Sequence, residues 1–450
     1  MDDSNNKTIV ALATPEGRAG VAVIRVSGNK VLEIIKKITD ISLKNRYAHF
    51  IDFKDKNNET IDQGIAIYFQ SPNSFTGEDV LELHCHSGFA VIRSLIKQLL
   101  FLGATLAKPG EFSERAFLNN KIDLIQAEAI SDLINASTEE SAKSALLSLQ
   151  GNFSKKINSL VKKIINLRMY IESSIDFIDE EIDFLSNKQI KIDLIEIIDI
   201  LKLILKNAKT GSLLTNGINV VIIGKPNSGK SSLLNQLSQK DSAIVTNIAG
   251  TTRDILRENI NIDGIPVHIV DTAGLRSTNN IIEKEGIKRT YSEIKNADLI
   301  LCMYDGTLSK NFDYSLIADI NININKIINI RNKIDLISQS EKEINNSNLD
   351  DISISAKKNI GIDLLKTRIK KIIGYANKQE GIFSARQRHL DALERTNQFL
   401  SNGRIQLEHN SFELLAEDLR QSQICLSEIT GEFTSDDLLG KIFSSFCIGK

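Results

Sequence analysis

The run Gly224-Lys225-Pro226-Asn227-Ser228-Gly229-Lys230-Ser231 is built to hold a phosphate chain. It fits G-x-x-x-x-G-K-[ST], follows the apolar run Val220 to Ile223, and opens into Ser232-Leu233-Leu234-Asn235, a helical start. Glycines let the backbone bend until several N–H groups face one anion, a lysine neutralises the outer phosphates, and a hydroxyl ligates Mg²⁺. Lys230 and Ser231 are that lysine and that hydroxyl, and Asn227 to Ser232 complete the cradle. Further along, Pro266 to Val270 reads as a strand ending in Asp271-Thr272-Ala273-Gly274. An Asp there holds Mg²⁺ through water, and the glycine N–H approaches a γ-phosphate. Asn332-Lys333-Ile334-Asp335 follows the strand-like Ile327 to Ile330. The Asp335 carboxylate suits the two adjacent donors of guanine, N1–H and N2–H₂, whereas adenine would face it with an acceptor. Ser355-Ala356-Lys357, after Ile352 to Ile354, is placed to close over the base. These spacings imply binding and hydrolysis of GTP.

Two details bear on the hydrolysis. Leu275 stands where small G proteins carry the glutamine that orients the attacking water. Leucine cannot hydrogen-bond water, so that role lies elsewhere or is absent, and Glu283 and Glu285 are the nearby carboxylates. Asn227 has an amide oxygen that suits a monovalent cation beside the phosphates, and it equally suits a tight turn. Between the strands runs Thr246-Asn247-Ile248-Ala249-Gly250-Thr251-Thr252-Arg253-Asp254, in which Thr251 and Thr252 are candidate hydroxyls for completing Mg²⁺ coordination.

The elements that must position these residues fall into three textures. Residues 1–118 mix short β-rich runs (Thr8 to Ala13, Val21 to Val26, Ile65 to Tyr68, Val80 to His84) with Gly and Pro turns, an α+β pattern. From Lys121 to Lys209 Gly and Pro nearly vanish, and Leu160, Ile164, Ile165, Leu167 and Ile171 recur at helical spacing. From 216 to 375 strands and helices alternate as in a doubly wound sheet, with Asp263-Gly264 as a hairpin turn between an antiparallel pair. Helical texture resumes from Ser384. The economical arrangement is a multidomain α/β chain: an α+β domain at 1–118, a discontinuous helical domain at 119–215 and 376–450, and a Ras-like doubly wound G domain inserted at 216–375. The two helical flanks are also compatible with separate bundles.

Composition agrees with a chain of several domains. Its 450 residues exceed one domain, and 42% hydrophobic content supplies ordinary cores. A net charge of −2 gives no global attraction to nucleic acid, so RNA must be met by a local patch. There is no apolar run of about 18 residues and the start is polar and acidic, which points to a cytoplasmic protein without a membrane span. Cys85, Cys302, Cys425 and Cys447 are scattered, with neither a disulfide framework nor zinc spacing. His84-Cys85-His86 puts two histidines on one face of a strand with no further ligand, which speaks against a metal.

Taken together, Gly-Lys-Pro-Asn-Ser-Gly-Lys-Ser, Ile-Ala-Gly-Thr-Thr-Arg-Asp, Asp-Thr-Ala-Gly-Leu-Arg and the terminal Cys447-Ile448-Gly449-Lys450 resemble the MnmE (TrmE) tRNA-modification GTPases. The resemblance runs end to end, through Ala13-Thr14-Pro15, Ser74 to Asp79 and Pro109 to Phe117. At Lys357 an arginine is also familiar in the family. It implies a folate-binding-like N-terminal domain that forms a homodimer, and an MnmG-type flavoprotein partner in a heterotetramer. The implied joint reaction adds an aminomethyl or carboxymethylaminomethyl group to carbon 5 of the wobble uridine of certain tRNAs. It also implies residue roles. Asn227, Thr246, Ile248 and Thr251 would hold K⁺, Ser231 and Thr252 would hold Mg²⁺, and Glu283 would orient the hydrolytic water. Arg25, Glu82, Lys121 and Lys450 would contact a 5-formyl-tetrahydrofolate-type ligand, with Cys447 at the modification site as nucleophile, redox-sensitive thiol or lining residue.

The tail itself reads as a last helix through Phe446, capped by Thr434 or Ser435 with Asp436 and Asp437 at its positive end. Cys447 has prenylation spacing, but Gly449 and Lys450 do not fit that box. The alternative reading of the whole chain is a ribosome-assembly GTPase acting as an RNA-binding switch.

Overall fold

A computed structural model describes residues 7–176, 187–238, 257–271, 292–309, 311–317, 320, 323–337, 351–375, 381–432 and 436–449. In chain order the elements are β1 (Ile9–Leu12), β2 (Ala22–Ser27), α1 (Val31–Thr39), β3 (His49–Lys54), β4 (Thr60–Phe69), β5 (Val80–Cys85), α2 (Phe89–Phe101), β6 (Thr105–Leu106) and α3 (Glu111–Leu118). Helices α4 (Leu124–Asn135), α5 (Glu139–Leu149), α6 (Asn152–Asp176) and α7 (Asn187–Asn216) follow. Then come β7 (Ile218–Ile223), α8 (Lys230–Ser238), β8 (Arg257–Ile262), β9 (Ile265–Asp271), β10 (Leu299–Asp305), β11 (Ile327–Asn332) and β12 (Asp351–Ser353). Helices α9 (Ile362–Ile372), α10 (Gln387–Glu408), α11 (Phe412–Thr430) and α12 (Asp436–Ser444) complete the chain. Two compact units result, one of residues 1–131, 157–162 and 423–450, the other of 132–156 and 163–422.

The first unit holds a sheet in the order β3-β4-β5-β2-β1-β6, antiparallel except for the parallel β1–β6 pair. Side chains alternate across a strand, so Ile24 and Val26 of β2 join the core with Val31 and Ile34 of α1 and Leu95 and Leu99 of α2. Arg25 therefore projects from the other face, directly across from Glu82 of β5. α12 packs Ile442 and Phe443 with Phe446 against Leu124 and Ala127. This helix stops at Ser444, two residues short of the sequence expectation. The chain turns there because the Phe446 ring packs edge-on against Phe443 and the Gly110 N–H donates to the Cys447 carbonyl, at 3.3 Å.

The second unit contains a sheet in the order β12-β11-β10-β7-β9-β8, parallel but for the β8–β9 edge. Central strand β7 is a β-branched run, and all but one of its residues are buried, as a parallel strand covered on both faces requires. Asp263 and Gly264 both have positive φ, 50° and 95°, and close the β8–β9 hairpin. That geometry matches the right-handed twist of the paired strands. Leu233, Leu234 and Leu237 of α8 enter the core of this sheet, each worth about 1.5–3 kcal/mol of burial. Outside the sheet, α7 buries Leu194, Ile197, Leu201 and Ile204 and runs beside α10, joined by the Lys209–Glu394 ion pair at 2.8 Å. No described helix is long and apolar enough to cross a membrane.

Candidate functional site

A parallel sheet delivers the carboxyl ends of its strands to one edge, and ligands bind there where the strand order reverses. Here β7 lies between β9 and β10, and its end runs into the Gly224–Ser231 loop. β9 ends at Asp271, β11 at Asn332, and β12 leads to Ser355. Four separate sequence motifs thus reach one edge.

The loop is held by its own backbone and by Asn332. Lys230 Nζ donates to the carbonyls of Gly224 and Lys225, at 2.9 and 3.3 Å. Asn332, 3% exposed, donates through Nδ2 to the Ser228 carbonyl at 2.8 Å and accepts the Ala356 N–H at 3.0 Å. One side chain ties the phosphate loop to the Ser-Ala-Lys loop. Asn227 is exposed and sits in the left-handed region at φ 64°. Ser231 and Ser232 lie exposed on the first turn of α8. Ser228 is buried, and its hydroxyl has no partner among the described residues. A buried orphan hydroxyl inside an amide-rich turn fits an oxyanion ligand.

Gly229 is required by this packing. Its φ is 101°, and a Cβ would fall 2.1 Å from Asn332 Nδ2. Gly229→Ala should push the loop off Asn332 and, with about 1–3 kcal/mol of backbone strain, weaken nucleotide binding roughly 10–100-fold. Titration with a fluorescent guanine nucleotide tests this, and unchanged affinity would refute the role given to the Asn332 contact.

Asp335 has an 8% exposed side chain, accepts the Ser355 hydroxyl at 2.7 Å and lies 3.9 Å from Lys358 Nζ. Lys333 adopts φ 64° and pairs with Asp305 at 2.7 Å. Burial pushes the Asp305 carboxyl up, but bonds from Lys333 and Thr307 outweigh it and hold it below the usual carboxylate range. Asp305 and Lys358 escaped the sequence reading, although Asp305-Gly306 at the end of an apolar run marks a strand end. Lys357 follows Ala356 and is exposed. Thr246, Asn247, Ile248, Ala249, Gly250, Thr251, Thr252, Thr272, Ala273, Gly274, Leu275 and Glu283 lie outside the described residues, as does the Thr434 or Ser435 cap.

The first unit gathers a second set. Arg25 and Glu82 are cross-strand partners with an ion pair at 2.8 Å. The Arg25 guanidinium lies 5.7 and 5.8 Å from the ring centroids of Phe75 and Phe112, and within 3.5 Å of the Gly449 carbonyl. Lys121 donates to the Pro72 carbonyl at 2.9 Å, on the loop that carries Phe75. The buried Arg115 pairs with Glu78 and Glu111 at 3.0 Å, and Glu78 accepts the Ser27 hydroxyl at 2.7 Å, so that loop is anchored to β2 and α3. Lys450 lies outside the described residues. Phe75 and Phe112 were missed, since nothing in a single sequence marks an aromatic ring as an arginine's neighbour. Cys447 is exposed, whereas Cys85, Cys302 and Cys425 are buried. Burial pushes the Cys302 thiol up to about 12, and burial with the Asp62 charge takes Cys85 to about 11, which leaves both inert. His84 Nε2 lies 3.6 Å from Glu82, and His86 pairs with Asp62 at 2.8 Å, so each histidine has its own carboxylate.

Comparison with known proteins decides the family. The family model of the MnmE helical domain matches residues 124–447, and that of the GTP-binding protein TrmE N-terminus matches 8–121. A tRNA modification GTPase MnmE of Coxiella burnetii is 54% identical over 448 residues, 99% of both chains. The chain belongs to the MnmE family of tRNA modification GTPases. MnmE proteins of Hydrogenovibrio crunogenus and Saccharophagus degradans are 51% and 52% identical over 100% of both chains. Among solved structures, Era in complex with MgGDPNP and a segment of 16S ribosomal RNA is 29% identical over 40% of this chain and 66% of that one, with a TM-score of 0.27. Membership of the MnmE family rests on the full-length relatives. They make this protein a GTP-hydrolysing enzyme of tRNA modification, in place of the ribosome-assembly alternative.

Proposed function

We propose that GTP hydrolysis by this protein drives addition of an aminomethyl or carboxymethylaminomethyl group to carbon 5 of the wobble uridine of certain tRNAs. The reaction is shared with an MnmG-type flavoprotein in a heterotetramer built on a homodimer of residues 1–118, in the cytoplasm. The observation that carries this reading is the meeting, in one compact unit, of the tail bearing Cys447 with the Arg25–Glu82 pair. An arginine near two aromatic rings and paired with a carboxylate suits a flat, polar, hydrogen-bonding ring system such as that of a 5-formyl-tetrahydrofolate-type folate. Arg25, Glu82, Lys121 and Lys450 would hold that carrier, which supplies a one-carbon unit when bound.

In the G domain, Asn227 to Ser232, Asp271 to Gly274, Asn332 to Asp335 and Ser355 to Lys357 would hold GTP. Mg²⁺ would be held by Ser231 and Thr252, and K⁺ by Asn227, Thr246, Ile248 and Thr251, with Glu283 orienting water. The exposed Ser231 at the start of α8 and the exposed Asn227 of the same loop carry oxygens, which hard cations favour as ligands. We further propose the division into 1–118, 119–215, 216–375 and 376–450.

Nucleoside mass analysis of tRNA from cells carrying only a Cys447→Ser chain tests the central step. Carbon-5-modified wobble uridine should fall at least about tenfold, while GTP turnover of the purified variant stays within about twofold. Normal modification in that strain would return Cys447 to a lining residue. Normal modification in a strain lacking the protein would overturn the reaction itself.

A further inference from the structure

The β8–β9 turn makes contacts that no nucleotide chemistry requires. Thr138 caps α5, accepting the Ser141 N–H at 3.1 Å, and its hydroxyl donates to the Gly264 carbonyl at 2.8 Å in a buried bond. The two residues are 126 positions apart. Lys370 of α9, itself 9% exposed, is paired with Asp263. A Cβ at Gly264 would lie 2.7 Å from Glu140 Cγ, so the second residue of α5 closes directly on the turn. Burial, helped by the Glu140 and Asp263 charges, pushes the Tyr375 hydroxyl above its usual value.

Both ends of this contact lead somewhere. The two strands are paired from Arg257↔Val270 to the tip, and β9 is paired to β7 up to Ile222↔Asp271. Hence the tip is fixed to the backbone of Asp271 and to the strand that enters the phosphate loop. On the other side, α5 is bonded to the chain entering α10. The Ser384 N–H donates to the Ser144 carbonyl at 3.2 Å, and the Ser148 hydroxyl to the Ser384 carbonyl at 3.2 Å. Two residues on, Arg386 pairs with Asp132 at 2.7 Å. An unbroken chain of hydrogen bonds and ion pairs thus joins the nucleotide edge of the sheet to the helices.

We propose that the Asp263–Gly264 tip is the contact through which the state of the nucleotide site reaches the helical part, with Thr138 and Lys370 as its positioning residues. Coupling requires an element whose arrangement both sites bias, and a turn clamped by a hydroxyl and an ammonium is such an element. Amide hydrogen exchange of the full chain with GDP and with a non-hydrolysable GTP analogue tests it. Exchange at Ser141 and Ala142 should differ by about fivefold or more between the two nucleotides in the unaltered protein. Thr138→Val and Lys370→Met should each erase that difference while kcat and KM for GTP stay within about twofold. Thr138→Ser and Lys370→Arg should restore it. Should loss of the cap unfold Thr138→Val, Lys370→Met, which keeps the apolar stem, decides alone. Absence of a nucleotide-dependent difference in the unaltered protein, or its survival in Lys370→Met, overturns the proposal.

Discussion

Asp335→Asn is expected to lower GTP affinity by roughly 10²–10³-fold, because two charge-assisted hydrogen bonds to guanine, at about 1.5–3 kcal/mol each, are weakened together. The same change should admit xanthosine triphosphate. Xanthine offers an acceptor where guanine has its amino donor, and an asparagine amide can donate to it. The carboxylate is nearly enclosed and already accepts the Ser355 hydroxyl on one oxygen, so its surroundings are built around an acceptor. Ser355→Ala should therefore cost less than Asp335→Asn and leave base preference unchanged. Competition between labelled GTP, ATP and xanthosine triphosphate measures all three. Equal affinity of the unaltered protein for GTP and ATP would overturn the guanine assignment.

What the sequence made legible follows the range of the interactions. Strand β7, the loop after it and the start of α8 are contiguous, and periodicity with glycine spacing is enough to place them. The Asp263-Gly264 turn is equally local: two adjacent residues that tolerate positive φ between β-rich runs define it. Strand β3 escaped notice because His-Phe-Ile-Asp-Phe-Lys has an irregular burial pattern at a sheet edge, with only Phe53 fully enclosed. Helices α1 and α2 were also passed over. α2 starts at Gly88 without a side-chain cap, so its N-terminus carries none of the usual signals.

Long-range contacts were out of reach for a different reason. Arg25 meets the Gly449 carbonyl across 424 positions, and no local preference encodes such a pair. Family resemblance named Arg25, Glu82 and Cys447 together, but only the fold gives the physical reason. Arg25 lies on the sheet face opposite the α1–α2 core, and α12 ends early enough to lay the tail near it. Asn332 is the converse case. The motif places it among the GTP-binding residues, and its observed bonds join two loops of that site.

Hydrolysis should run faster in K⁺ than in Na⁺ at equal ionic strength, and Asn227 should be the residue that decides it. Leu275 stands where the usual water-orienting glutamine would be, and the sequence motifs assign no arginine to stabilise charge on the transferring phosphoryl group. An arginine finger is worth about 10³–10⁵ in rate, so a dehydrated K⁺ in its place can be worth a large part of that. Asn227 lies in the left-handed region at φ 64°, exposed within the phosphate loop. Alanine there would lose the amide and also strain the backbone by about 1–2 kcal/mol. Asn227→Gly separates the two effects, because glycine tolerates the left-handed conformation while removing the amide. If the oxygen binds the cation, Asn227→Gly and Asn227→Ala should both lose K⁺ stimulation, and the glycine variant should keep its GTP affinity. A turn residue would instead tolerate glycine with stimulation intact. Glu283→Ala should slow hydrolysis in K⁺ without preventing cation-dependent pairing of G domains, since the role proposed for it is on the water and not on the cation. Turnover indifferent to exchanging K⁺ for Na⁺ would sink the cation mechanism and leave Asn227 as a residue of the turn alone.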